Sequence, residues 1–390
     1  MRSREIGIAG YEVQQVEKQA DIEVKARFET KPKGCPRCGS EKIVSKGPYS
    51  RKVRHLDSFG CRSHLEIQLR RWQCKDCRRT FVPALPGVRP GHHSTEPFRR
   101  KVYQDHHDGI CASRLAKREG LGHASIGRIY AQFTYLKAQE RKNQPCPAVI
   151  GIDEHTLHRG QRFVTTFCNL KNRRIFDVVE GKSQADLLAF LSSLKGRDKV
   201  KVVCIDLCSS SRQLIKKWFP NAKIVADRFH VVRIIQYHFL SFCRALVPEI
   251  KNRRGLLRCL RKNPENLTEK DEVRLETFLK KQPAIRELYK KQLELRGLVK
   301  LKTLCKDSVR QRIPEWLGMI EELKACSIEA MTTLGNTLES WSEEITRMWR
   351  FTRSNGITEG FHRKMKLIQR RAYGFRNFEN YRLRVIAQCG

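Results

Sequence analysis

The sequence predicts a multidomain α/β protein, on three observations. Two CxxC pairs lie near the start, helical spacing follows, and from residue 148 short apolar runs alternate with helical stretches. With 390 residues there is length for two or three domains, each burying its own core. Lys and Arg number 78 against 41 Asp and Glu, a formal charge of +37 spread from end to end. Such a chain repels itself, so an anionic partner is expected. Nucleic acid is the usual one, because neutralised phosphates release their counterions. No apolar run approaches the roughly 18 residues of a membrane span, and no amphipathic anchor is evident. Met1-Arg2-Ser3-Arg4-Glu5 lacks the apolar segment of a signal peptide, which predicts a cytosolic protein.

Residues 1–90 read as a zinc-binding module. Alternating apolar positions (Tyr11, Val13, Val16, then Ile22, Val24, Ala26, Phe28) suggest strands. Cys35/Cys38 and Cys74/Cys77 form two knuckles, and Ile67, Leu69 and Trp72 read as a hairpin strand between them. Four thiolates so spaced suit one structural Zn2+, which supplies folding energy that so small a module lacks. Cys61, His55 and His64 are substitute ligands without a paired spacing. The scattered Cys111, Cys146, Cys168, Cys204, Cys243, Cys259, Cys305, Cys326 and Cys389 read as small buried hydrophobes.

Residues 91–144 turn helical after Pro83, Pro86 and Pro90. Helices are predicted over 97–107, 110–119 and 125–136, with Gly120-Leu121-Gly122 as the turn between the last two. This is the helix-turn-helix pattern, whose second helix enters the DNA major groove through His123, Ser125 and Arg128. An ordinary helical hairpin is the alternative. Pro145-Cys146-Pro147 reads as a linker.

Residues 145–390 read as one domain. Runs 148–152, 162–169 and 174–179 are strands, 183–194 a helix, 200–205 a strand, 209–219 a helix and 222–226 a strand. That β-β-β-α-β-α-β order is the order of the ribonuclease-H-like fold. Residues of about 231–350 carry no strand pattern and form a helical insertion, with Thr268-Glu269-Lys270-Asp271 as a capping box. Ser354-Asn355-Gly356 then begins a helix with Glu359 in its first turn.

The chemistry follows from two apolar runs that each end in a carboxylate, Asp153 and Asp206. At the carboxyl edge of adjacent parallel strands these two converge, and they repel unless cations lie between them. Two Mg2+ (or Mn2+) ions, with Glu359 as third carboxylate, would stabilise both oxygens of a phosphoryl displacement. Arg363, Lys366 and Arg370 follow Glu359 at i+4, i+7 and i+11, a basic ridge for phosphates. Asp227 and His230 leave the sheet after Ile224-Val225-Ala226. They either join this edge, where His230 could orient a water, or serve as helix cap and packing.

The strings Gly151-Ile152-Asp153-Glu154, Ile205-Asp206, Asp227-Arg228-Phe229-His230-Val231-Val232 and Ser354-Asn355-Gly356-Ile357-Thr358-Glu359-Gly360-Phe361 resemble the DDE transposases of the ISL3 insertion-sequence family. The knuckles and helix-turn-helix occupy the places of that family's zinc finger and DNA-binding helices. The resemblance implies Asp153, Asp206 and Glu359 as catalytic residues, and Asp227 and His230 as an accompanying pair. His362 departs from it, standing where Asn is expected. It further implies a bacterial, nucleoid-associated protein that binds terminal inverted repeats and target DNA as a homo-oligomer, cuts a strand and joins the 3′-hydroxyl. A related metal-dependent nuclease and a catalytically silent DNA-binding protein are the rivals.

Overall fold

The apolar alternation near the start becomes β1 (Glu12–Lys18) and β2 (Ile22–Arg27), which bury Val13, Ile22, Val24 and Ala26. Val16 is half exposed, because the β1–β2 register slips by one residue between Val13 and Gln15. The computed structural model describes residues 6–141, 143–158, 162–351, 356–372 and 374–390. Met1–Glu5 and the predicted helix start at Ser354-Asn355 lie outside the described residues.

Two compact units divide the chain, Met1–Lys137 and Ala138–Gly390. In the first, the stretch between the two CxxC pairs is a long hairpin of β3 (Ile43–Ser58) and β4 (Cys61–Cys74). Phe59 and Gly60 turn it, both at positive φ, as a two-residue hairpin turn demands. The sheet runs β1-β2-β4-β3, with β2 parallel to β4, and β5 (Thr80–Phe81) adds to β4. The predicted helices are α1 (Glu96–His107), α2 (Ala112–Glu119) and α3 (His123–Gln139). Ile126, Ile129, Tyr130 and Phe133 of α3 are buried against Leu115 and Phe98, so the helical period marked the core face. Gly120 ends α2 at φ 66°, a left-handed cap that glycine adopts at least cost.

The second unit holds a mixed sheet of β6 (Val149–His158), β7 (Arg162–Asn169), β8 (Arg174–Glu180), β9 (Val202–Ile205) and β10 (Lys223–Ala226). Its spatial order is β10-β9-β6-β7-β8, parallel from β10 to β6 and antiparallel beyond. Helix α4 (Gln184–Ser193) follows β8, and α5 (Ser209–Trp218) links β9 to β10, giving the predicted β-β-β-α-β-α-β order. Ser183 and Asp186 form a reciprocal capping box at the start of α4.

Seven helices follow: α6 (Arg228–Leu246), α7 (Arg254–Arg261), α8 (Glu269–Lys281), α9 (Pro283–Lys300), α10 (Lys306–Lys324), α11 (Glu329–Ser340) and α12 (Ser342–Arg347). Arg228, at the start of α6, draws distant parts of this segment together, donating to the carbonyls of Val299, Leu301 and Met348 at 2.8–3.0 Å. Helices α13 (Gly356–Arg371) and α14 (Phe378–Cys389) close the chain, burying Met365, Ile368, Tyr381 and Val385 beside β7 and β8 residues.

Several expectations need correction. Thr268 caps α8 by accepting from the Asp271 N–H, but Asp271 does not reciprocate; its carboxylate accepts from Lys262 and Arg258. Two nearby cations outcompete one backbone N–H. The Pro145-Cys146-Pro147 stretch belongs to the second unit, where Cys146 is buried and its N–H donates to the Lys195 carbonyl. Cys111 and Cys305 are exposed, because both stand at helix N-cap positions, and Cys326 is half-buried.

Candidate metal centres

The first centre is local. Cys35 Sγ lies 3.5 Å from Cys77 Sγ and Cys38 Sγ 3.7 Å from Cys74 Sγ, and all four sulfurs fall within 4.8 Å of one another. Zinc with bonds near 2.3 Å sets sulfurs about 3.8 Å apart in a tetrahedron, so the four thiols fit it. The N–H groups of Arg37 and Cys38 bond Cys35 and lower its pKa to about 6; those of Cys77 and Asp76 lower Cys74 likewise. One thiol of each knuckle is thus held toward the thiolate that a metal needs. Cys38, against the Ser40 N–H that bonds it, is pushed up to about 12 by burial and the other three sulfurs in the absence of a cation. The substitute ligands do other work. His55 is buried between Thr95 Oγ1 and the Ile6 carbonyl, His64 lies 3.7 Å from Asp21, and Cys61 packs against the sheet core.

The second centre is assembled across the sheet. The β6–β9 register pairs Gly151 with Cys204, and β9–β10 pairs Ile205 with Ala226. One or two residues further on, Asp153, Asp206 and Asp227 stand in a row where the parallel pairing ends. Strands β9 and β10 stop there, but β6, expected to close at 152, runs on to His158 because β7 continues to pair with it. Asp153 is 8 % exposed and Asp227 1 %, a costly position for carboxylates without a cation nearby. Burial pushes Asp153 up to about 6, against the Glu154 N–H that bonds it, with Asp227 and Glu359 adding repulsion. Burial, then Asp153 and Asp227, push Asp206 up to about 8.

His230, in the first turn of α6, brings Nε2 to 3.2 Å from Asp206 Oδ1 and 3.8 Å from Asp227 Oδ2. Burial and the charge of Arg233 lower it to about 4, so the imidazole is neutral at pH 7. Asp227 occupies the N-cap position of α6, yet its side chain makes no capping bond. Asp153, Asp206 and His230 offer ligand atoms within 4.8 Å of one another. Two carboxylates that repel each other, with a neutral imidazole nitrogen beside them, fit a divalent cation. Glu359 sits in the first turn of α13 outside that tight trio, near enough for its charge to bear on Asp153. Arg363, Lys366 and Arg370 are exposed along α13. In the other unit His123 and Arg128 are exposed at the start of α3, and Arg128 donates to half-buried Ser125 at 3.1 Å.

Behind Asp153 lies a pair that the sequence reading did not join, having met His362 only as a departure from the family pattern. His362 Nδ1 stands 3.6 Å from Asp153 Oδ2, and its ring packs against that of His155, centroids 4.5 Å apart and planes tilted by 41°. His155 Nε2 in turn meets the Tyr381 hydroxyl at 3.2 Å. Burial lowers both imidazoles, His362 to about 4 and His155 to about 3, with Lys366 contributing. The available signal was the two-residue step from Asp153 to His155, which sets both on one side of a strand.

Residues 150–385 match a family model described as a transposase of the ISL3 type. The chain belongs to the ISL3 family of DDE transposases. Residues 31–77 of this transposase match the zinc finger of the IS204/IS1001/IS1096/IS1165 transposases, a span that includes all four clustered cysteines. The chain is 26 % identical to the transposase for insertion sequence element IS1001 of Bordetella parapertussis, over 98 % of this chain and 96 % of that protein. It is 23 % identical to the transposase for IS1557 of Mycobacterium tuberculosis, over 88 % of this chain and 82 % of that one. Among the described residues no helix is long and apolar enough to cross a membrane.

Proposed function

We propose that this transposase cuts DNA at the terminal inverted repeats of an insertion sequence and joins the freed 3′-hydroxyl ends to target DNA. The row of Asp153, Asp206 and Asp227 on three neighbouring parallel strands, just past their last paired residues, carries the reading. The strand order β10-β9-β6-β7-β8, with only β7 antiparallel to its two neighbours, supports a ribonuclease-H-like catalytic domain over 145–390, interrupted by helices. Asp153, Asp206 and Glu359 would hold two Mg2+ (or Mn2+) ions, Glu359 approaching from α13. Bound there, the ions would act as Lewis acids toward the attacking and leaving oxygens.

The chain's own residues supply the rest. His230, neutral and beside Asp206, accepts a proton from the attacking water or hydroxyl, or orients it. Asp227, 3.8 Å from the same ring nitrogen, steadies that imidazole by its charge. Arg363, Lys366 and Arg370 grip phosphates flanking the cut. The zinc-binding module (1–90) and the α2–α3 helix-turn-helix (91–144) read the terminal repeats, with His123, Ser125 and Arg128 toward the bases. Two ends must meet for joining, so the working form is a homo-oligomer on DNA in the bacterial cytoplasm and nucleoid.

A supercoiled plasmid carrying the element's ends, incubated with Mg2+, tests this. Cutting followed by joined products is expected. Cutting without joining would leave a plain nuclease, and binding without cutting a silent DNA-binding protein.

A further inference from the structure

Helix α7 reads Arg254-Gly255-Leu256-Leu257-Arg258-Cys259-Leu260-Arg261 and buries its leucines and cysteine, turning its arginines to solvent. Between its start and α8 opens a concavity of about 570 Å³. Arg253, Arg254, Arg274 and Lys281 line it with Asn252 and Thr277, and no carboxylate does. Arg253, Arg254 and Lys281 form no ion pair among the described residues, and Arg274 comes only within 3.8 Å of Asp271. Asp271 is already held more closely, by Lys262 at 2.8 Å and Arg258 at 3.1 Å. Four exposed cations around one hollow repel one another until an anion enters.

The hollow is large and open for a single phosphate ion, and its cations ride on long, exposed side chains. Its one aromatic residue, Phe278, is buried, so it offers no platform on which single-stranded bases could stack. These features suit the backbone of duplex DNA, gripped without reading its sequence. We infer that this groove is an additional DNA-binding surface of the helical segment, separate from α3 and from the ridge on α13. The inference rests on the DNA-cutting reading above.

The test uses the full chain and a random-sequence DNA duplex. The variant Arg253→Gln/Arg254→Gln/Arg274→Gln/Lys281→Gln is compared with Lys195→Gln/Lys199→Gln/Lys216→Gln/Lys217→Gln, which removes equal charge from exposed lysines elsewhere. Each lost phosphate contact lowers the slope of log affinity against log salt by about 0.9. The groove variant should therefore lose three to four from that slope by this rule, and at least about tenfold in affinity at moderate salt. The control should lose less than about one. Arg253→Gln/Arg254→Gln alone, which breaks no ion pair, should lose about half as much slope with an unchanged melting temperature. Equal slopes in groove variant and control, while the wild type binds and cuts, would overturn the groove alone. A wild type that binds no duplex would overturn both the groove and the DNA-cutting reading.

Discussion

The thiol cluster and the carboxylate cluster are assembled over different lengths of chain. Cys35, Cys38, Cys74 and Cys77 flank a single hairpin, and pairing Ile43 with Cys74 closes that hairpin beside both knuckles. Asp153, Asp206 and His230 come from β6, the end of β9 and α6, and meet only once a sheet with crossovers exists. The four thiols lie outside both apolar clusters of the first unit, so a metal there contributes to folding. The carboxylates rest on a core that includes Ile150, Ile152, Val203, Ile205 and Val225, which stabilises the sheet without any metal. One site is therefore part of what holds its unit together, while the other is a burden that the second unit's core sustains. That contrast orders the outcomes of substitution.

The largest effect should come from Asp206→Asn or Asp153→Asn. Either should slow strand cleavage about 1,000-fold or more, since metal-held carboxylates stand behind several kcal/mol of barrier lowering. Binding to a DNA duplex, measured in parallel, should stay near wild type. A variant that cuts at near wild-type rate would remove that aspartate from the site. Cys35→Ser should break the other side of the comparison, releasing about one zinc per chain and on the order of 10 kcal/mol of folding support. Circular dichroism of the first unit and metal analysis check this together. Purified wild type without zinc would end the structural-metal reading.

His230→Ala should lower cleavage at least about 100-fold, the low end for a positioned proton-transfer group, with the melting temperature little changed. If the variant cuts normally, or fails only because it no longer folds, the imidazole is structural.

The smallest effect concerns pH in metal-free protein. Asp153 and Asp206 are raised to about 6 and about 8, whereas in the unfolded chain both titrate near 4. Folded pKa values above the unfolded ones mean that the folded state binds more protons. This contribution to stability is full below about pH 4 and is lost as pH rises through the folded values. The melting temperature should fall by several degrees between about pH 5 and 8, and Mg2+ should raise it most at the upper end. A flat profile in wild type, or the same fall in Asp206→Asn, would show that the carboxylate row is not strained.

Much of this was legible along the chain because it is local. The CxxC spacing, the helical period through Ile126, Ile129, Tyr130 and Phe133, and the apolar runs ending in Asp153 and Asp206 all report on near neighbours. The Thr268–Asp271 capping box misled for the same reason in reverse. Spacing suggested a reciprocal bond, and Lys262 and Arg258, from the α7 end, took the carboxylate instead. His155 and His362 were missed as a pair because nothing along the sequence joins β6 to α13.

By itself the sequence determined which segments are strands or helices, that four thiols would gather, and that two buried apolar runs would each be followed by a carboxylate, although β6 runs on past Asp153 to His158. Only the tertiary structure decided that β9 lies between β6 and β10 in a register that aligns Asp153, Asp206 and Asp227. It also decided that His230 faces Asp206 while His362 backs Asp153. The physical reason is that hydrophobic period depends on residues a few positions apart, whereas strand neighbours and register depend on how whole faces pack across long separations.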